Sequence, residues 1–139
     1  MRPRLNLILL GVADIAKSTA FYEALGWPKA RTSHAEFVKF DLGGVVLALQ
    51  SRSHFAQDSN SAEVENHGFA GFALAYIAHS ADEVGQVLAD AERLGAQIVK
   101  PATANNWGIA GYFRDLDGHL FEVCYEDGWI FDEHDNLVV

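Results

Sequence analysis

A chain of 139 residues, half of them apolar, has the size of one domain or of two small fused modules sharing a core. Its formal charge of −9 argues against nucleic acid, which needs a basic footprint, and its apolar content against disorder. No apolar run reaches the roughly 18 residues of a membrane span, Met1-Arg2-Pro3-Arg4-Leu5 lacks a signal peptide's layout, and the single Cys124 cannot form an internal disulfide. A cytoplasmic location is therefore expected. The charge is uneven. After Arg114 there are eight Asp and Glu and no Lys or Arg, whereas residues 1–114 carry ten basic and eleven acidic side chains. The C-terminal segment, 127–139, reads either as a solvated tail or as part of an acidic rim that draws in a cationic ligand.

In chain order, Leu5 to Val12 is a nearly continuous apolar run of buried-strand length. Asp14 suits a helix N-cap, and the helix it opens should pass through Phe21, Tyr22 and Leu25 and stop at Gly26-Trp27-Pro28. Residues 35–41 and Val45–Gln50 read as strands joined by a tight turn at Gly43-Gly44. The polar stretch of about 53–67 reads as a linker between a first module at about 4–52 and a second at about 68–126. The second module opens with the apolar run Phe69 to Ile77. Ser80-Ala81-Asp82-Glu83 fits a capping box, and Val84, Val87, Leu88, Ala91 and Leu94 form one helical stripe ended by Gly95. A short strand is expected around Gln97–Val99. Trp107–Phe113 and His119–Tyr125 should form a hairpin around Asp117-Gly118, with a type I′ turn.

The two modules echo each other. Asp41-Leu42-Gly43-Gly44-Val45-Val46-Leu47-Ala48-Leu49 reads against Asp115-Leu116-Asp117-Gly118-His119-Leu120-Phe121-Glu122-Val123, and each helix ends in Leu-Gly. Both modules run strand, helix, then strands. The class is α+β, two βαβββ modules with helices on one face of each sheet.

The segment Leu10 to Gly26, with its Phe21-Tyr22 pair, and the closing Asp115-Leu116-Asp117-Gly118 resemble the vicinal oxygen chelate superfamily, the group of glyoxalase I, bleomycin-resistance proteins and extradiol dioxygenases. The resemblance spans about 5–125 and implies curved sheets around a shared cleft. It also implies metal ligands on the first and last strand of each module. Here those positions are Leu7, Ala48, a residue within two of Phe72, and Glu122. Catalytic metal sites typically need three protein ligands plus water, so no metal and no cofactor are expected. Antibiotic-sequestering members of the group without metal are acidic dimers, which suggests a homodimer here.

Glu122 is then the residue to explain. It shares a face with Leu120 and Cys124, opposite Phe121, Val123 and Tyr125. A buried carboxylate normally pairs or protonates. It is either a satisfied core carboxylate or the polar anchor of a ligand pocket, with a metal ligand as the third reading. Arg114, another segment or the ligand must supply any cation. Gln50 either lines the pocket or ends a strand in water. Tyr76 and Tyr112 either pack in the core or face the pocket, and Trp107 either caps a ligand or plugs a hydrophobic gap. The six histidines show no ligand spacing; His119, in a hairpin turn, should be exposed, and His67 and His79 are too far apart along one strand to share a metal. Cys124 reads as a small core residue, and no phosphate loop or Ser–His–Asp arrangement stands out.

Three functions compete. One is a metal-free protein whose inter-module cleft binds a small molecule, cationic, aromatic or amphipathic. Another is a metal-dependent lyase, isomerase or dioxygenase with non-standard ligands, or an enzyme using Glu122 as general base. The third is an interaction module whose cleft has lost its function.

Overall fold

Strand β1 (Leu7–Val12) is followed at once by helix α1 (Ile15–Ala24), whose N-cap Asp14 accepts a hydrogen bond from the Lys17 amide at 3.0 Å in a computed structural model describing residues 1–64 and 68–138. Both this helix and α3 (Ala81–Arg93) end in the same way. Gly26 and Gly95 adopt φ of +104° and +105°, a conformation that costs an L side chain but not glycine. The amides of Trp27 and Ala96 then reach back to the carbonyls of Tyr22 and Ala91 at 3.0 and 2.9 Å. The repeated Leu-Gly is thus a repeated helix stop.

The chain divides into two compact units, Met1–Glu65 and Asn66–Val139. In the first, β2 (Phe37–Asp41) and β3 (Val46–Ser51) form a hairpin, and β1 runs parallel to β3, giving the order β1-β3-β2. A fourth strand is reduced to an isolated bridge between Lys29 and Phe40. Tyr22 is fully buried, stacked on Trp27 at 5.3 Å between ring centroids and tilted against Phe40 at 5.7 Å. The stretch read as linker opens instead with helix α2 (Arg52–Asp58). Ser51 caps it, and Phe55 lies where a side chain at Gly11 would stand, so one aromatic ring seats an otherwise polar helix on β1. The end of that stretch, with His67, lies outside the described residues.

In the second unit β4 (Leu74–Ile77), β5 (Gln97–Ala104), β6 (Gly108–Arg114) and β7 (Leu120–Glu126) form one sheet of order β4-β7-β6-β5, with β4 parallel to β7. β4 is shorter than its apolar run. Phe69 and Phe72 are exposed, and Gly71 has a φ of +81°, outside the extended region. β5 is longer than expected and absorbs Pro101 through register shifts against β6. The turn between β6 and β7 is not type I′, because Gly118 has positive φ and Asp117 does not. Its organiser is the buried Asp115, whose Oδ1 accepts from the amides of Asp117 and His119 and whose Oδ2 lies 2.8 Å from His119 Nδ1. That pairing leaves the His119 side chain only 12% exposed, against the expectation of an exposed turn histidine.

The C-terminal segment is a folded hairpin, β8 (Ile130–Phe131) and β9 (Leu137–Val138), whose turn is organised by Asp132 accepting from His134 and Asn136. Phe131 packs on the His79 ring at 4.5 Å, next to the N-cap of α3.

The apolar stripe of α3 lies on the sheet, with Val84, Leu88 and Ala91 buried. A Cβ at Gly111 would stand 2.4 Å from Leu88 Cδ1 and 2.9 Å from the Lys100 carbonyl. Gly111→Ala should therefore destabilise the fold by about 1–3 kcal/mol through overpacking. Gly85, inside α3 with open space around its Cα, gives the opposite expectation: Gly85→Ala should stabilise by about 0.5–1 kcal/mol. Urea unfolding of the two variants checks both signs.

Candidate functional site

The position of α3 sorts the second sheet into two faces. Phe113, Phe121, Val123 and Gly111 lie beneath the helix, the two phenyl rings stacked at 5.0 Å. Because strand side chains alternate, Tyr112, Glu122 and Cys124 take the opposite, helix-free face. There the register builds a single row. Ala75 pairs with Glu122, Glu122 with Tyr112, and Tyr112 with Lys100, across β4, β7, β6 and β5. The Tyr112 hydroxyl donates to Glu122 Oε1 at 2.5 Å, and Lys100 Nζ lies 5.9 Å from the centre of the Tyr112 ring. The adjoining row on this face, with Cys124 opposite Ala110, is buried.

Tyr112 is the sole hydrogen-bond partner of Glu122 among the described residues. Arg114, the cation considered in the sequence, is used elsewhere: its guanidinium donates to the carbonyls of Gly118 and Gly68 at 2.6 and 3.0 Å. No buried side-chain oxygen or nitrogen among the described residues lacks a partner, so Glu122 Oε2, without one, faces solvent.

The other candidate residues separate from this row. Tyr76 pairs in register with Val123 and therefore lies on the helix side, where its hydroxyl donates to Glu83 Oε1 at 2.5 Å. Glu83 also accepts from the His79 amide at 2.7 Å, so Tyr76 braces the start of α3 and does not join Glu122. Gln50 belongs to the first unit and donates to Asp58 Oδ2 of α2 at 3.1 Å. Trp107 is 73% exposed in the β5–β6 loop, its amide held by Asn105 Oδ1 at 2.8 Å, so it plugs no gap within its unit. Lys100 is the member of the row that sequence reasoning missed. Its signal was faint, since a lone lysine before Pro101 looks like any strand-edge charge.

A family model described as the glyoxalase/bleomycin resistance protein/dioxygenase superfamily matches residues 4–123. The chain belongs to this superfamily. The glyoxalase-type fold is also seen in solved structures. A glyoxalase-related enzyme from Fulvimarina pelagi is 27% identical, with a TM-score of 0.88, over 99% of this chain and 98% of that one. At 23% identity and a TM-score of 0.67, a mutant of a genomically encoded fosfomycin resistance protein from Listeria monocytogenes, complexed with Mn(II) and 1S,2S-dihydroxypropylphosphonic acid, shares the fold over 89% of this chain and 90% of its own. A lactoylglutathione lyase from Agrobacterium tumefaciens does so at 22% identity and a TM-score of 0.66, over 95% and 100%. No curated protein sequence matches.

The superfamily's metal positions can now be placed by register. Ala48 lies opposite Leu9, two residues after Leu7. Glu122 lies opposite Ala75, so the counterpart of Leu7 in the second unit is Ala73, one residue beyond Phe72. Leu7, Ala48 and Ala73 carry no donor atom in their side chains. Among the described residues no three His, Cys, Asp or Glu side chains gather. One carboxylate does not make a selective site for a divalent cation, so this donor set does not fit the superfamily's metal.

Glu122 and burial together raise the titration of its neighbours on the helix-free face. The Glu122 hydrogen bond, then burial, then the Glu122 charge push the Tyr112 hydroxyl up to about 12. Burial, followed by the charges of Glu122 and Glu126, pushes the Cys124 thiol up to about 11, so at neutral pH it is a protonated thiol unsuited to nucleophilic attack. For tyrosine a raised value means that the folded state holds its proton longer than the unfolded chain. The stabilisation from Tyr112 is complete below about pH 10 and is lost as the pH rises toward about 12. Glu122→Gln should bring the Tyr112 titration down toward the ordinary value of about 10, read by NMR on ring-labelled tyrosine. A titration that stays at the wild-type position would show that burial, not Glu122, sets it.

Proposed function

We propose that the protein binds a small molecule on the helix-free face of the second sheet, without a metal, and that Glu122 is the polar anchor. The supporting observation is the half-buried Glu122 carboxylate: one oxygen is held by Tyr112 and the other has no protein partner among the described residues. A carboxylate has about four lone-pair positions, and a ligand that donates a hydrogen bond or carries a cation completes it. Tyr112 contributes aromatic surface, and Trp107, free in its loop, is proposed to cover the ligand. Tyr76 and Gln50 are engaged elsewhere and are not part of this reading. Homodimerisation and a cytoplasmic location are carried as proposals from the sequence. Among the described residues no helix is long and apolar enough to cross a membrane.

A metal-dependent enzyme is the competing reading, and elemental analysis separates the two. Protein purified without chelator should hold far less than one divalent metal per chain. Near-stoichiometric zinc, nickel, iron or manganese, lost in Glu122→Gln, would overturn the metal-free reading.

Binding is tested by a thermal-shift screen of small molecules, with and without added metals. A ligand present at 100 times its Kd stabilises the native state by about 2.7 kcal/mol. Calorimetry on a hit should show that Glu122→Gln weakens binding by roughly 1.5–3 kcal/mol, the scale of a charged hydrogen bond. Unchanged affinity across all hits would make Glu122 a structural residue and remove the site from this face.

A further inference from the structure

The row that contains Glu122 has two ends. At one end the Glu122 carboxylate presents Oε2 with no protein partner among the described residues. At the other, Lys100 on β5 presents an exposed ammonium whose partner among the described residues is the Tyr112 ring, 5.9 Å away. The two charges do not form an ion pair among the described residues, because Tyr112 stands in register between them. Adjacent strands lie about 4.8 Å apart, so the Glu122 and Lys100 backbones are roughly 10 Å from each other. Between them the Tyr112 hydroxyl donates its one hydrogen bond to Glu122, so toward a ligand it can only accept. Beside Glu122 stands Ala75, and the next row holds Ala110, so on these two sides the row has small neighbours.

We infer that the ligand class of this site is a zwitterion with a flat spacer: a cationic group against Glu122, an unsaturated or aromatic body over Tyr112, and a carboxylate or similar anion against Lys100. The inference rests on the reading of Glu122 as a polar anchor and adds the second charge. A ligand that is only cationic leaves Lys100 unanswered and meets its repulsion. A ligand that is only anionic must approach a chain of net charge −9 and meets Glu122 with the wrong sign. A neutral molecule with separated charges answers both ends. Ordinary cation–π contact holds Lys100 over the ring before binding, so the ammonium is already placed.

The experiment uses three probes of one shape: 4-(aminomethyl)benzoate, benzylamine and benzoate. Each is titrated into the full chain at low salt and followed by calorimetry and by amide NMR shifts at residues 100, 112 and 122. The zwitterion is expected to bind about tenfold or more tightly than either singly charged probe, the factor a charged hydrogen bond supplies. Lys100→Gln should abolish its advantage over benzylamine, and Glu122→Gln its advantage over benzoate. If the zwitterion and benzylamine bind equally and Glu122→Gln weakens both, the zwitterion class is overturned while the anchor stands. The zwitterion class is likewise overturned if none of the three probes moves these amides but the thermal-shift screen yields a Glu122-dependent ligand that is not a zwitterion. If no ligand from either experiment depends on Glu122, both readings fall.

Discussion

Leu88 of α3 rests against Gly111 of β6, and this approach determines what each face of the second sheet can do. A strand offers its side chains alternately to two sides. Once the helix claims the side of Gly111, Phe113, Phe121 and Val123, the residues between them are committed to the other side. Tyr112 and Glu122 are direct cross-strand partners there, and Lys100 comes to stand next to Tyr112. The polar row is a consequence of the apolar packing behind it. Shifting β7 by one residue would bury Glu122 under α3 and expose Val123, an exchange the core would not tolerate.

The two units show what divergence does to one plan. Their helix stops share one hydrogen-bond pattern, and their hairpins both begin with an aspartate that accepts the amide two residues on, Gly43 for Asp41 and Asp117 for Asp115. The central strand of each sheet then differs at one position. In the first unit Ala48 is flanked by Leu9 and Lys39, and α2 sits over the neighbouring Gly11. In the second, Glu122 is flanked by Ala75 and Tyr112. At this one position the first sheet carries a side chain that ends at Cβ, Ala48, and the second a carboxylate, Glu122. Within a superfamily that hosts several activities on one fold, the site and not the fold carries the function.

Glu83 and Glu122 make an instructive pair. Each accepts a tyrosine hydroxyl at 2.5 Å, from Tyr76 and from Tyr112. Glu83 uses its second oxygen to accept from the His79 amide and so finishes the N-terminus of α3. Glu122 has no such second partner among the described residues. Similar tyrosine–carboxylate contacts therefore differ in outcome: one closes a structural joint, and the other keeps one oxygen without a protein partner among the described residues.

Local chemistry made much of this legible in the sequence. The Asp14 and Ser80 caps, the Leu-Gly helix stops and the Gly43-Gly44 turn are short-range, and each held because its partners lie within a few residues, while the Val84–Leu88–Ala91 stripe was legible from its helical period. The superfamily, its α+β class and the phase of Glu122 against Phe121 and Val123 were readable for the same reason. What the sequence left open was decided by contacts between distant segments. Phe55 against Gly11 turned a polar linker into α2. Phe131 against His79 gave the acidic tail a docked hairpin, and Asp115 drew His119 inward. Strand alternation could say that Tyr76 and Glu122 each had two possible sides, but only the β4–β7 register and the place of α3 could put them on opposite ones. The pairing of Glu122 with Tyr112, and of Tyr112 with Lys100, is a property of strand register, which no stretch of sequence holds by itself.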